Sequence, residues 1–350
     1  MISSGARSIA RLLRDHAPQL SLGNVQPHAA LTRVSKRNVE WARRLGLVSD
    51  DLAAQRLAAI RCGSFAAHTY PTADEELVQL GADLISWLYL FDDLYGEGRP
   101  GDDVETLRER FSIFEATLRG GMLPEPPCPF HRALLDLRAR VLACLNDGAN
   151  DGSDDTWIDR FADAMAAYFH GCELEHPHRV AGVPPEPNEY RRVRSLSIGA
   201  SPVFALIELQ TGRLSREERE SPQLRELCKT GALLCAWVND IYSYPKERVE
   251  GEPMNLVATL AHHYSLVPDE ALGAAVQVFR TDAAMFEALH DALEYRPVSA
   301  TVRDYARGVR RWVRGNAAWT GLCGRYYPID FVSTREQAIA CIEGYRRGGG

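Results

Sequence analysis

A chain of 350 residues, 45% hydrophobic and 25% charged, can bury a full core, and its composition excludes disorder and collagen-like structure. Its formal charge of -7, with no basic run interleaved with aromatics, argues against a nucleic-acid partner. The eight cysteines form no Cys-x-x-Cys pair and read as reduced thiols in a cytoplasmic protein, and no stretch reaches the roughly 18 apolar residues of a stable membrane anchor.

Residues 1–30 are expected to be a disordered leader, since Met1 to Arg14 are basic, serine-containing and free of acids. From 31 to 335 helical periodicity dominates and no run alternates as a strand does, so the expected fold is one all-α bundle, with 336–350 as a tail. Thr72 and Glu75 form an expected capping box ahead of a stripe of Leu77, Leu80, Leu84, Trp87, Leu88 and Phe91. Asp92 lies four residues past Leu88 and so on the core-facing side, where an unpaired carboxylate would cost several kcal/mol. A cation is the obvious partner.

The other expected helices cover roughly 36–48, 50–68, 103–119, 130–146, 154–170, 188–211, 216–248, 253–264, 268–292 and 298–322. Loops are expected at 98–101, 124–129, 147–153 and 176–187. Pro202 follows Gly199-Ala200-Ser201 inside an apolar helical pattern, which predicts a break near Gly199.

Asn239, Ser243 and Glu247 stand at steps of four, which rotate only about 40° each on a helix, so their oxygens share one stripe. An amide oxygen, a hydroxyl and a carboxylate suit a hard divalent cation, and Lys246 on the same face could meet an anion bridging metals. Pro245 interrupts the stripe and is expected to bend it, with the risk of turning Glu247 away. Asp92-Asp93-Leu94-Tyr95-Gly96-Glu97 supplies a second acidic group, in which Asp93 points about 100° from Asp92 and stands either as a ligand or behind one. Glu173, Glu175, His176 and His178 have zinc-binding side chains, but the proline among them suggests an incidental surface cluster.

These motifs and their order resemble those of bacterial class I terpene synthases, over about residues 30 to 330. In that resemblance Asp92 to Glu97 stands for the aspartate-rich motif, Asn239, Ser243 and Glu247 for the second metal triad, and Lys246 for the lysine beside it. The stretch Tyr190 to Gly199, with Arg191, Arg192 and Arg194, resembles the diphosphate-sensing arginine and broken effector helix, with Arg194 at the family's approximate spacing from Gly199. Arg325-Tyr326 matches a terminal Arg-Tyr pair preceded by Trp312, Asn316 and Trp319.

The resemblance implies three magnesium ions held by Asp92, Asp93, Glu97, Asn239, Ser243 and Glu247. It implies a departing diphosphate met by Arg194, Lys246, Arg325 and Tyr326, and a pocket that includes Phe65, Leu88, Tyr89, Gly199, Phe204, Trp312 and Trp319. The implied reaction ionises a linear isoprenyl diphosphate, farnesyl diphosphate first and geranylgeranyl diphosphate as the alternative, and cyclises the cation. A non-catalytic diphosphate-binding protein on the same scaffold is the competing reading. A homodimer is compatible with the resemblance, although no interface is evident.

Overall fold

The computed structural model describes residues 17–96, 103–121, 126–146 and 157–323. No strand occurs among them, as the periodicity requires. After a 3₁₀ turn at Ala17–Leu20 come α1 (Leu31–Leu45), α2 (Asp51–Ile60), α3 (Cys62–Thr69), α4 (Glu75–Phe91), α5 (Val104–Leu118), α6 (Pro129–Asn146) and α7 (Trp157–Ala181). The second half holds α8 (Pro187–Ser197), α9 (Ala200–Ala205), α10 (Glu208–Thr211), α11 (Arg216–Glu220), α12 (Pro222–Glu250), α13 (Leu256–Tyr264), α14 (Pro268–Tyr295) and α15 (Ala300–Thr320).

Helix ends follow local chemistry. Asp50, Asp103 and Ser299 accept from the amides of Ala53, Thr106 and Val302, and left-handed Gly46 and Gly251 close α1 and α12. The start of α4 departs from the expected capping box. Asp74, in extended backbone one residue before the helix, accepts from Leu77 N at 2.7 Å. Thr72 lies too early to reach that amide and instead accepts from Gln210 Nε2, while Glu75 pairs with Arg33 and Arg37.

The expected helix 50–68 is two, divided at Arg61, whose φ of 63° breaks the backbone and whose carbonyl accepts from Trp319 Nε1. The break at Gly199 is present, with φ of 70°. Pro202 then falls in the first turn of α9, where no intrahelical donor is required. Two prolines expected to interrupt helices do not. α7 continues through Pro177 to Ala181, its last turn held by Arg179 to Glu175 and Glu252, and α12 continues through Pro245 to Glu250.

The bundle is organised around α4, in which every residue from Leu77 to Trp87 is buried. Its one buried acid, Asp83, is 1% exposed and accepts from Asn38 Nδ2 (2.8 Å), Gln79 Nε2 (2.9 Å) and Arg140 Nη1 (2.7 Å), tying α4 to α1 and α6. Burial nonetheless pushes its carboxyl up to about 6. Gly315 of α15 backs onto the His68 carbonyl and Gly171 of α7 onto Ser197, approaches too close for any Cβ. These contacts bring α15 against α3 and fix the α8–α9 break beside α7.

Candidate active site

A cavity of about 750 Å³ opens between the C-terminal half of α4, the α7–α9 corner, the middle of α12 and the end of α15. One end is oxygen-rich. It is built from Asp92 and Asp93 beyond α4, Tyr168 and Arg179 of α7, Arg194 of α8, and Asn239, Ser243, Lys246 and Glu247 of α12. The other end is lined by Phe65, Ile85, Leu88, Tyr89, Val203 and Trp312.

The backbone accounts for both metal-ligand candidates. Asp92–Gly96 forms a π-helical turn, which widens the helix at the end of α4, and both Asp92 and Asp93 open into the cavity. Tyr168 Oη donates to Asp92 Oδ1 at 3.3 Å. On α12 the helix persists past Pro245, so the expected loss of Glu247 does not occur and Asn239, Ser243 and Glu247 line the same cavity. Asn255 supports that stretch: its Nδ2 donates to the Asp240 carbonyl (2.7 Å) and to Glu247 Oε2 (2.8 Å), while its Oδ1 caps α13.

Of the three neighbouring arginines only Arg194 lines the cavity. Arg191 pairs with Asp282 at 2.7 Å and covers Trp237, and Arg192 is 59% exposed beside Glu189. Arg194 Nη2 donates to Asn239 Oδ1 and to Asp240 Oδ1, both at 2.8 Å, and Nε donates to the same Asp240 oxygen at 3.0 Å. Burial opposes its charge, but Asp240, Tyr190 and Glu175 together hold it well above the ordinary arginine range. Asp240 is raised by burial, against the pull of Arg194 and the Tyr190 hydroxyl, which donates at 2.5 Å. Ser197 hydrogen-bonds Glu175, so the end of α8 is tied to the same charge network.

The donor set suits a hard cation. Glu247 is half-buried at the cavity wall, and desolvation followed by the Asp240 charge pushes its carboxyl up to about 7 despite the Asn255 hydrogen bond. Carboxylates of Asp92 and Asp93 face the same space, so the oxygen-rich end carries negative charge that a divalent ion would offset. Among the described residues no three His, Cys, Asp or Glu side chains already converge on one point, and neutral oxygens of Asn239 and Ser243 are part of the set.

Several expectations change. Trp319 does not line the cavity: it stacks behind Phe65 at 4.0 Å, held by its Nε1 bond to the Arg61 carbonyl at 3.1 Å. Phe204 also stands behind the wall, edge-on to Trp312 at 5.4 Å, whereas Phe65, Leu88, Tyr89, Gly199 and Trp312 line the cavity. The Glu173 to His178 cluster lies within α7 rather than a surface loop, with Glu175 and His176 buried. Glu97, Arg325 and Tyr326 lie outside the described residues.

Sequence reading passed over Asp240, Asn255, Arg179 and Tyr168, and took Glu175 only as part of an incidental surface cluster. Asn255 had a signal, an asparagine two residues after Pro253 and directly before the apolar Leu256-Val257. Asp240 had none, because its side-chain partners lie on other helices, and the Glu175 contacts with Ser197 and Arg194 likewise cross from α7 to α8.

An all-α scaffold whose cavity joins acids and an amide at one end to aromatic rings at the other has the make-up of a class I terpene cyclase. The family model described as "Terpene synthase family 2, C-terminal metal binding" matches residues 83–283, which contain both Asp92 and Glu247. The chain belongs to this family and is a class I terpene cyclase. It is 29% identical over 321 residues to a (+)-T-muurolol synthase ((2E,6E)-farnesyl diphosphate cyclizing) of Roseiflexus castenholzii, covering 91% of this chain and 95% of that protein. It is 27% identical to a 4-epi-cubebol synthase ((2E,6E)-farnesyl diphosphate cyclizing) of Streptosporangium roseum, covering 84% and 87%. The fold matches a linalool/nerolidol synthase of Streptomyces clavuligerus with a TM-score of 0.72 at 23% identity, over 84% of this chain and 100% of that one. No helix among the described residues is long and apolar enough to cross a membrane.

Proposed function

We propose that this protein ionises farnesyl diphosphate with magnesium and folds the resulting allylic cation into a cyclic sesquiterpene. The observation that carries the reading is the division of one cavity into an oxygen-rich end and an aromatic end, matched to the two ends of such a substrate. Relatives whose names specify (2E,6E)-farnesyl diphosphate support the chain length.

Asp92, Asp93 and Glu97 on one side, and Asn239, Ser243 and Glu247 on the other, would hold magnesium, up to three ions by the family resemblance; bound magnesium supplies Lewis-acid charge to the leaving diphosphate. Arg194 and Lys246 bring cationic donors to the same end, and Arg325 and Tyr326 are assigned the diphosphate through the resemblance. The carbon–oxygen bond breaks with its electron pair going to the diphosphate. Phe65, Tyr89 and Trp312 then face the cation with ring quadrupoles, worth about 0.5 to 2 kcal/mol per contact.

Purified protein incubated with magnesium and C10, C15 or C20 isoprenyl diphosphates tests the reading by analysis of the volatiles. A cyclic C15 product from farnesyl diphosphate is expected. Turnover of the C20 substrate alone would replace the chain-length assignment, and diphosphate binding without any product would overturn the catalytic one.

A further inference from the structure

We propose that Asn316 holds the water that ends the reaction, making the product a sesquiterpene alcohol rather than a hydrocarbon. The inference rests on the cation chemistry proposed above. Asn316 is 7% exposed and lines the cavity, and its Oδ1 is buried with no hydrogen-bond partner among the described residues.

Its surroundings make the amide unusual. One helical turn earlier on α15, Trp312 packs 5.2 Å from Phe65 and 5.4 Å from Phe204, and three residues later Trp319 stacks on Phe65. An amide oxygen buried unpaired among these rings costs about 1 to 3 kcal/mol, and an apolar side chain would not. The hydrogen bonds that join Arg194, Asn239, Asp240, Asn255 and Glu247 do not include Asn316. A partner arriving in the cavity would satisfy it.

The position is right for a cation intermediate. A Cβ on Gly231 would meet Val313 at 3.2 Å, and one on Gly321 would meet Tyr242 Oη at 3.6 Å, so α12 and α15 run side by side in the same sense. Asn316 therefore comes level with the stretch Cys235 to Asn239, in the part of the cavity next to the oxygen-rich end. A water occupies about 30 Å³, which the cavity accommodates beside a substrate chain. The Asn316 amide offers it both an acceptor and a donor, and Cys235 lines the cavity on the neighbouring helix with a weaker one.

In the step itself the water oxygen gives a lone pair to the cationic carbon, forming the carbon–oxygen bond. The resulting oxonium loses an O–H proton to the diphosphate released at ionisation. Atoms balance as isoprenyl diphosphate plus water giving alcohol plus hydrogen diphosphate. Asn316 is neither base nor nucleophile in this sequence; it fixes where the water stands.

The test is turnover of farnesyl diphosphate with magnesium in ¹⁸O-labelled water, with products read by mass spectrometry and inorganic diphosphate measured in the same tubes. The main wild-type product is expected to be an alcohol carrying one ¹⁸O. In Asn316→Leu the ratio of alcohol to hydrocarbon should fall about tenfold, the worth of one lost hydrogen bond, and Asn316→Ser should restore part of it. Asn316→Ala replaces the leucine variant if that one does not fold. Diphosphate release with an unlabelled hydrocarbon from wild-type protein, or an unchanged ratio in the apolar variant, overturns the inference alone. Absence of diphosphate release overturns the ionisation reading and this inference with it.

Discussion

Arg194 Nη2 stands 2.8 Å from Asp240 Oδ1 in a pair where the carboxylate side chain is fully buried and the guanidinium is 11% exposed. The same nitrogen reaches Asn239, so the orientation of the arginine proposed to meet the diphosphate depends on a carboxylate that does not itself line the cavity.

Asp240→Asn should therefore act on both stability and rate. It leaves the Arg194 charge buried without its main counter-ion and replaces an acceptor of four hydrogen bonds by an amide that can accept only some of them. Breaking such a pair costs about 3 kcal/mol. Urea unfolding should show that loss, and kcat should fall together with it because Arg194 turns away; a variant as stable and active as wild type would refute the assignment.

Trp319 is buried behind Phe65 and stacks on that ring without lining the cavity. Trp319→Leu removes the stacked face and opens a void, at a cost of about 3 kcal/mol by the behaviour of large-to-small core changes. The melting temperature should drop, and the ratio of products should shift because Phe65 can tilt. An unchanged product ratio in folded variant protein would place Phe65 under the control of other neighbours.

His131 stacks on Phe114 with centroids 4.3 Å apart, and its Nε2 is buried without a partner. Burial lowers its pKa below 6.5, so the unfolded chain takes up a proton before the folded one does. The stability it contributes is fully present above pH 6.5 and is lost as pH falls through that value toward the folded pKa. His290, lowered mainly by burial, adds the same sign, and Asp83, raised by burial to about 6, adds the opposite one as pH falls below that value. The contribution of His131 is therefore read as the difference between wild type and His131→Phe in denaturation at pH 7.5 and 5.5. Wild type should lose more stability on acidification; equal losses would contradict the prediction.

The all-α fold and most of the cavity could be read from spacing because they depend on residues close in sequence. Leu84, Leu88 and Asp92 share a face by helical period, and Asn239, Ser243 and Glu247 share another. What escaped depends on contacts between distant elements. Pro245 stays helical in a segment whose triad is tied by Asn255 to the next helix, and Pro177 in one whose last turn is tied by Arg179 to Glu252. Trp319 has the spacing of a cavity residue, but the left-handed Arg61 puts a carbonyl where its indole can donate, and the ring turns behind Phe65. The π-helical turn that opens both Asp92 and Asp93 into the cavity has no periodic signature at all.

The most direct measurement of the central claim is the rate of inorganic diphosphate release from farnesyl diphosphate as magnesium is titrated, for wild type, Asp92→Asn and Asn239→Leu. Wild-type release should rise from near zero to saturation with magnesium, and each variant should fall at least about 100-fold while its thermal unfolding stays cooperative. Release that ignores magnesium, or wild-type rates in both variants, would contradict the assignment of the oxygen-rich end of the cavity.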